Sequence, residues 1–555
     1  MDLNTALYDS IKSLNIIPVN KLDECFAEAN NLNKDLHSVL LSKDLMSDEN
    51  IGKLKADIYN LPFVLLQHEA LDQNIAKLIP LAYAKENYCL VIKQDDTATT
   101  IAICDGQNET LKKQLSTRFN NKISLVYSTR RDLTLALKIY ADDPKSTFDK
   151  LLSSGIDAAK KETEEPPIIQ IVDTIIRFAY DRGASDIHIE PTSMGSLVRF
   201  RVDGMMHDIV SLPIDIHPRI ATRIKVMANL RTDENQSAQD GKLTLNLEEE
   251  KLDVRVSLVP IVEGESIVLR LLAEKSRQFS LLDLGLSKED SLKIEAARKK
   301  PHGMILSTGP TGSGKTTSLY ALLKLLNERS VTIMTIEDPV EYQIEGVNQI
   351  QVNKATGLTF ADGLRSVVRQ DPDIILVGEI RDNETADIAV NSAMTGHLVL
   401  STLHTNDAST AIPRLTDMGI EPFLIASTLN VIVAQRLVRK ICTQCRTSNE
   451  IEVDSLSTYL SKDVIAKHFG TGKTRVYKGA GCRSCNNLGY LGRIGIFEIM
   501  NMTDEIKEAI TKKLDAGEIQ KLAIASGMTT MLDDGLAKVK SGITTIEEVM
   551  RVTTE

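Results

Sequence analysis

The 555 residues include 42% hydrophobic and 25% charged side chains, 30 Gly and 16 Pro, a globular usage that excludes collagen-like and low-complexity chains and implies about three or four domains. A formal charge of −11 and 4% aromatics without tryptophan argue against a dedicated nucleic-acid binder, which carries a basic stripe or stacking platform. No apolar run reaches the roughly 18–20 residues of a membrane-spanning helix.

The start of the chain, Met1-Asp2-Leu3-Asn4, has no signal-peptide core, so a cytoplasmic protein is expected. Residues 1–141 form a first unit. Leu22, Phe26, Leu36, Leu40 and Leu41 recur at helical spacing. Residues 88–92 and 100–103 then predict strands around a polar turn at Asp95-Asp96. A helix over 111–119, a strand over 123–127 and a further helix complete a small α+β module with no catalytic cluster. Residues 142–167, charged and closed by Pro166-Pro167, predict a flexible linker with a short helix over 148–152. Residues 168–275 begin with a helix over 168–180. Segments 187–189, 197–202 and 252–256 alternate with the two-residue period of half-buried strands, and Asp203-Gly204 is a hairpin signal. In residues 280–555, short apolar strands over 304–306, 331–336, 374–377 and 398–401 alternate with helices, the pattern of an α/β domain with a mostly parallel sheet.

Gly309-Pro310-Thr311-Gly312-Ser313-Gly314-Lys315-Thr316 matches G-x-x-x-x-G-K-[ST]. A strand before it and a helix from Thr317 after it supply the context of a phosphate-binding loop. Glycines there let successive backbone N–H groups turn onto phosphate oxygens. Lys315 brings charge to the β- and γ-phosphates, and the Thr316 hydroxyl is placed for Mg²⁺. The helix dipole adds to the attraction. Hydrolysis also needs a metal-side acid and a base or water-positioner. Two strands run into suitable acids: residues 332–336 into Glu337-Asp338, and residues 374–378 into Glu379. The strand over 398–401 is flanked by His397 and His404, either of which could contact the γ-phosphate.

Cys25, Cys89 and Cys104 read as small buried hydrophobes. Cys442 with Cys445, and Cys482 with Cys485, form two C-x-x-C pairs. In a reducing compartment such pairs bind metal rather than form disulfides. Together they fill all four positions of a tetrahedral, structural Zn²⁺ site.

In order, GPTGSGKTT, TIEDPVEY, DPDIILVGEIRD and GHLVLSTLHTND resemble the Walker A, Asp box, Walker B and His box of the secretion-superfamily ATPases. These motors assemble type IV pili and drive type II secretion, and the resemblance covers about residues 166–555. It implies a RecA-like P-loop ATPase domain, a PAS-like α+β partner domain over 168–275, a zinc-binding insert at about 440–495 and a small α+β N-terminal domain. Glu337 would polarise the attacking water, Glu379 would support the Mg²⁺ shell, and His404 and His397 would serve as His-box residues. Arg199, in a segment that resembles the partner domain, would reach the phosphates. Arg201 shares its strand face, and where many relatives carry a second arginine this chain has Ile214, with Arg219 as a substitute. The resemblance further implies a homo-hexamer with ATP at subunit junctions, closing about residues 275–285. It would be peripheral at the inner membrane through a platform protein and a cytoplasmic adaptor. Residues 34–40 lack the Arg-Leu-Gly start of the cyclic di-GMP segments found in some relatives, so no binding of that ligand is expected. The competing readings are a nucleic-acid-translocating P-loop ATPase, for which Arg436, Arg439, Lys440 and Arg446 beside the cysteines speak, and a non-hydrolysing scaffold, against which Lys315, Glu337 and Glu379 speak.

Overall fold

The computed structural model describes residues 3–140 and 167–554, apart from 15–18, 32–33, 43–44, 47, 67–68, 70, 96–97, 121, 248–250, 274–280, 282, 354–355, 483–484 and 486. The linker predicted over 142–167, Pro167 excepted, lies outside the described residues, as does most of the expected hinge over 275–285. Two compact units divide the chain, Met1–Gln278 and Phe279–Glu555. Among the described residues, no helix is long and apolar enough to cross a membrane.

The first unit opens with helices Leu3–Leu14, Val19–Asn31, Leu36–Ser42 and Asp48–Tyr59. Their apolar stripes meet in a core that includes Leu7, Ile11, Leu22, Leu40 and Ile51. A second core, with Leu90, Ile101, Leu111 and Val126 among its members, lies under β1 (Cys89–Gln94), β2 (Thr99–Ile103) and β3 (Ile123–Tyr127). β1 is antiparallel to β2. β2 and β3 are parallel, which requires a crossover. Helix Glu109–Arg118 supplies it, its first turn capped by the Asn108 side chain. Residues 1–141 thus hold two cores where the sequence pattern gave one module. Cys25 and Cys89 are buried and Cys104 half-buried.

Helix Ile168–Asp181 buries Ile171, Val172, Ile175, Ile176 and Phe178 in a core shared with a six-stranded antiparallel sheet. Its strands are β4 (Ala184–Thr192), β5 (Gly195–Val202), β6 (Met205–Leu212), β7 (Gln239–Asn246), β8 (Lys251–Ile261) and β9 (Gly264–Ala273), in the order β6-β5-β4-β9-β8-β7. Along β5, Val198 and Phe200 are fully buried while Arg199 and Arg201 take the other face. Asp203 and Gly204, at φ 49° and 87°, form the tight turn into β6. Only three of these six strands are legible as alternation. β6 and β7 are the sheet's edges and bury few side chains. In β9, apolar residues on both faces hide the period.

The second unit is built on β10 (Gly303–Thr308), β11 (Ile333–Glu337), β12 (Val347–Gln351), β13 (Ile374–Val377), β14 (Leu398–Leu403) and β15 (Leu429–Ile441). β16 (Arg446–Glu452) and β17 (Lys473–Gly479) form a separate hairpin, and β18 (Tyr490–Asn501) returns to the main sheet. The sheet order is β12-β11-β13-β14-β10-β15-β18. Neighbours are parallel except β18, which is antiparallel to β15. Every residue of β10, β13 and β14 is buried, as expected where helices cover both faces of a parallel sheet. Parallel register brings the segments after β10, β11, β13 and β14 to one edge, where α/β folds place their ligands. The hairpin and helix Lys462–Phe469 are an insert between β15 and β18. The insert is held to helix Met531–Lys540 by Lys467 and His468, which bond Asp533 at 2.9 and 2.5 Å.

Candidate active site and metal centre

β10 ends at Thr308, and helix Lys315–Leu326 begins seven residues later. Gly309, Gly312 and Gly314 have φ of +143°, +79° and +91°, so the loop between needs residues without a Cβ. A Cβ on Gly309 would lie 2.5 Å from the Gln435 carbonyl oxygen, and one on Gly314 would lie 2.9 Å from Gln435 Nε2. That amide donates to the Ser313 carbonyl at 2.8 Å, so β15 braces the loop from below. Lys315 is buried and donates to the Gly309 and Pro310 carbonyls at 2.7 and 3.0 Å. Burial pulls its ammonium down to about 8, against the opposing charge of Glu379. Ser307 Oγ, Ser313 Oγ, Ser318 Oγ and Gln435 Oε1 are buried here without a hydrogen-bond partner among the described residues. Pro310, Thr311 and Gly312 are exposed, as is Thr316 at the first turn, while Thr317 is half-buried. Buried polar groups usually have partners. A glycine cradle, a buried ammonium and orphaned hydroxyls together fit a phosphate group.

Glu379 follows β13 by two residues, at the same edge. Its Oε1 receives Arg381 Nη2 at 2.7 Å, and its Oε2 lies 3.2 Å from His404 Nε2. His404 directly follows β14 and is exposed. Glu337 is the last residue of β11, not the first beyond it, and is buried. Thr335 Oγ1 donates to its Oε1 at 2.6 Å and Gln349 Nε2 at 3.2 Å, and the Tyr320 hydroxyl donates to its Oε2.

His397 corrects the sequence reading. It precedes β14, and its carbonyl accepts the N–H of Gly303 at the start of β10. Its Nδ1 is 2.9 Å from the Ser392 carbonyl. His397 therefore lies at the amino edge of the sheet, a strand's length of about 3.3 Å per residue away from the phosphate loop. One strand cannot put both flanking histidines at its carboxyl end. His397 anchors the turn into β14, and only His404 joins the loop's side of the domain.

In the first unit, Arg199 Nη2 bonds both Glu190 oxygens at 2.7 and 2.6 Å. Arg201 Nε is 3.6 Å from Asp186 Oδ2. Arg219 and Ile214 are exposed.

Cys442 follows β15 and Cys485 precedes β18, so the four cysteines stand at the neck of the insert. Their Sγ atoms lie within 4.8 Å of one another. Cys442–Cys482, Cys445–Cys485 and Cys482–Cys485 are each 3.7 Å apart. That is too long for a disulfide at about 2.0 Å. It matches the roughly 3.8 Å edge of a tetrahedron with metal–sulfur bonds of about 2.3 Å. N–H groups of Gly481, Cys482 and Gly489 point at the sulfurs at 3.2–3.3 Å. Burial pushes the Cys442 thiol up to about 12 and raises that of Cys445, whereas at Cys485 burial is outweighed by the N–H groups of Cys482 and Gly489 together with the thiols of Cys482 and Cys445, which leave it below its usual range. The cluster fits a zinc ion held by four thiolates.

Tyr320, Thr335, Gln349, Arg381 and Gln435 escaped the sequence reading. The available signal was a polar side chain at an interior position, such as Gln435 within Val431-Ile432-Val433-Ala434 and Leu437-Val438.

A glycine loop between a buried parallel strand and a helix, with acids ending two neighbouring strands, defines a RecA-like P-loop ATPase domain. In this chain that domain carries a four-cysteine insert and accompanies an α+β domain of PAS type. The family model for type II/IV secretion system proteins matches residues 161–551, and the MshEN domain model matches residues 59–147. Residues 34–40, on which the cyclic di-GMP expectation rested, lie outside both matches. The chain is 37% identical over 550 residues to the type IV pilus assembly ATPase PilB of Myxococcus xanthus, covering 97% of this chain and 96% of that protein. It is 43% identical over 460 residues to type II secretion system protein E of Xanthomonas campestris pv. campestris, covering 83% and 79%. The crystal structure of the ATPase DotB from Legionella pneumophila shares the fold, with a TM-score of 0.52 at 20% identity over 71% of this chain and 97% of that one. The chain belongs to the type II secretion and type IV pilus assembly ATPase family.

Proposed function

We propose that this protein is an ATP-hydrolysing motor that powers assembly of a type IV pilus or type II secretion pseudopilus. The observation that carries the reading is the convergence of Lys315, Glu379, Glu337 and His404 on the carboxyl edge of one parallel sheet. In this reading Lys315 and the backbone of residues 309–317 hold the phosphates, and Thr316 and Glu379 would hold Mg²⁺, which would supply positive charge against the developing negative charge. Glu337 takes a proton from water as the water oxygen bonds to the γ-phosphorus and the bond to the ADP oxygen breaks. His404, paired to Glu379, senses the γ-phosphate. Arg199 leaves Glu190 for the phosphates when the partner domain closes, which completes the charge cage and turns phosphate loss into rigid-body motion.

The motor works as a homo-hexamer at the cytoplasmic face of the inner membrane, coupled to it through a platform protein and an adaptor. The zinc site is structural, since four thiolates leave no open ligand position. The test is phosphate release from Mg²⁺-ATP over a range of protein concentrations, with mass measured in parallel. Specific activity should rise with the hexamer population and rise again with the cytoplasmic domain of a platform protein. A rate per chain that is constant from monomer to hexamer would refute the inter-subunit site.

A further inference from the structure

Helix Lys315–Leu326 carries Tyr320 about one and a half turns beyond the lysine that starts it. Tyr320 is fully buried. Its ring stands edge-on to Tyr342, with centroids 4.7 Å apart, and its hydroxyl donates to Glu337 Oε2. The Tyr320 hydroxyl oxygen in turn accepts the Glu341 N–H and Gln349 Nε2–H at 3.4 Å each. Gln349 is fixed in turn, donating to the Tyr342 carbonyl at 3.1 Å and accepting the Ile344 N–H at 2.7 Å. Burial first, then the charge of Glu337 and the bond to it, raise the Tyr320 hydroxyl far above its ordinary range. It is therefore a permanent donor.

These contacts join three elements: the helix that grips phosphate, the strand end that carries Glu337, and the segment after it. Glu337 is only 3% exposed, and a buried polar group needs hydrogen-bond partners that also hold its direction. Thr335 and Gln349 share Oε1, and Tyr320 serves Oε2.

We propose that Tyr320 is the positioning residue for Glu337: its hydroxyl fixes the direction of the carboxylate and ties it to the phosphate-loop helix. The proposal rests on the reading of Glu337 as the base. A small movement of the helix on binding phosphate then reaches the carboxylate through one O–H, and no other rearrangement is needed to re-aim it. Tyr320 touches no substrate and acts only through Glu337.

The test uses the full chain with Mg²⁺-ATP and compares wild type, Tyr320→Phe, Glu337→Gln and the double variant. Tyr320→Phe keeps the ring on Tyr342. It should lower kcat about tenfold, the size expected for losing a bond to a charged group, and change KM by less than about twofold. In the Glu337→Gln background the same change should have no further effect on the residual rate. Thr335→Val removes a donor on the other oxygen and should likewise lower kcat with KM little changed, which guards against a packing artefact of one variant. A loss of kcat that tracks a fall in melting temperature, with KM changed as much as kcat, would make Tyr320 a packing residue and overturn the proposal. So would an equal effect of Tyr320→Phe with and without Glu337. Wild-type turnover in Glu337→Gln would instead remove Glu337 as the base, and the Tyr320 proposal with it.

Discussion

The phosphate loop and the cysteine cluster both use glycine-bearing turns to aim polar groups at one point, but they end in different states of completion. At the neck of the insert, four sulfurs hold tetrahedral spacing and backbone N–H groups of Gly481 and Gly489 support them. Every ligand position is filled from within the chain. Around the phosphate loop, Lys315 donates to carbonyls of its own loop, and Ser313 Oγ and Gln435 Oε1 have no hydrogen-bond partner among the described residues. One site has all four of its ligand atoms in place once the chain has folded. The other keeps donors in reserve for a ligand that comes and goes. A motor needs both, a rigid insert and a loop whose bonds are remade in each cycle.

The largest effect that tests this contrast is on the open site. Lys315→Ala should reduce ATP turnover by about a hundredfold or more while zinc content stays at one ion per chain by mass spectrometry. The converse is the double change Cys442→Ser with Cys485→Ser. It should abolish bound zinc and melt the neck of the insert, seen as faster hydrogen exchange over 442–489, because metal-binding energy at such a site is folding energy. ATP affinity measured by calorimetry should change little, since none of the loop's bonds passes through the cysteines.

Gly314→Ala should have a smaller effect on the open site. At φ +91°, with a Cβ 2.9 Å from Gln435 Nε2, it strains the backbone and pushes the brace away. Stability should fall by about 1 kcal/mol or more, and nucleotide affinity with it. Gln435→Leu, which removes the brace but not the glycine, should reproduce the affinity loss.

The smallest expected effect concerns the two buried glutamates behind these sites, Glu548 and Glu498. Burial alone would raise Glu548, but Arg439 and Arg551 overcome it and hold it at about 2. Its folded value is depressed, so its contribution is present above the ordinary range near 4.5 and is lost as pH falls toward 2. Glu498 has no such cation. Burial, and secondarily Asp407, push it up to about 7 although it accepts the Ala408 N–H at 3.0 Å. Its folded value is raised, so stability declines as pH rises from about 4.5 through 7. Glu498→Gln keeps an acceptor for Ala408 without the charge. It should gain on the order of 1 kcal/mol over wild type at pH 8 and nothing at pH 4.5 in thermal melts. Equal stability of the two proteins at both pH values would contradict the assignment.

What the sequence made legible follows from how local each signal is. The phosphate loop and the two C-x-x-C pairs are written in consecutive residues, because glycine, lysine and cysteine act there through backbone geometry and short reach. The fully buried parallel strands are also plain, as uninterrupted apolar runs. The contacts that decide what Glu337 can do are not local: Tyr320 lies 17 residues before it and Gln349 lies 12 after. The brace from Gln435 to Ser313 spans 122 residues. Only the packed sheet brings such pairs together. His397 failed for a different reason. A motif places it beside His404 in sequence, but an intervening strand of six residues, Leu398–Leu403, carries the two to opposite edges. Strand direction, available from the parallel pattern, was the signal that separates them.

Binding compared with turnover in two variants separates the roles proposed for the carboxyl edge of the parallel sheet. Nucleotide affinity by calorimetry and phosphate release should be measured together for wild type, Lys315→Ala and Glu337→Gln. Lys315→Ala should lose both, whereas Glu337→Gln should bind ATP as tightly as wild type and release phosphate at least about a hundredfold more slowly. Undiminished phosphate release in Lys315→Ala would contradict these roles, because hydrolysis would then lie somewhere other than the loop at the end of β10.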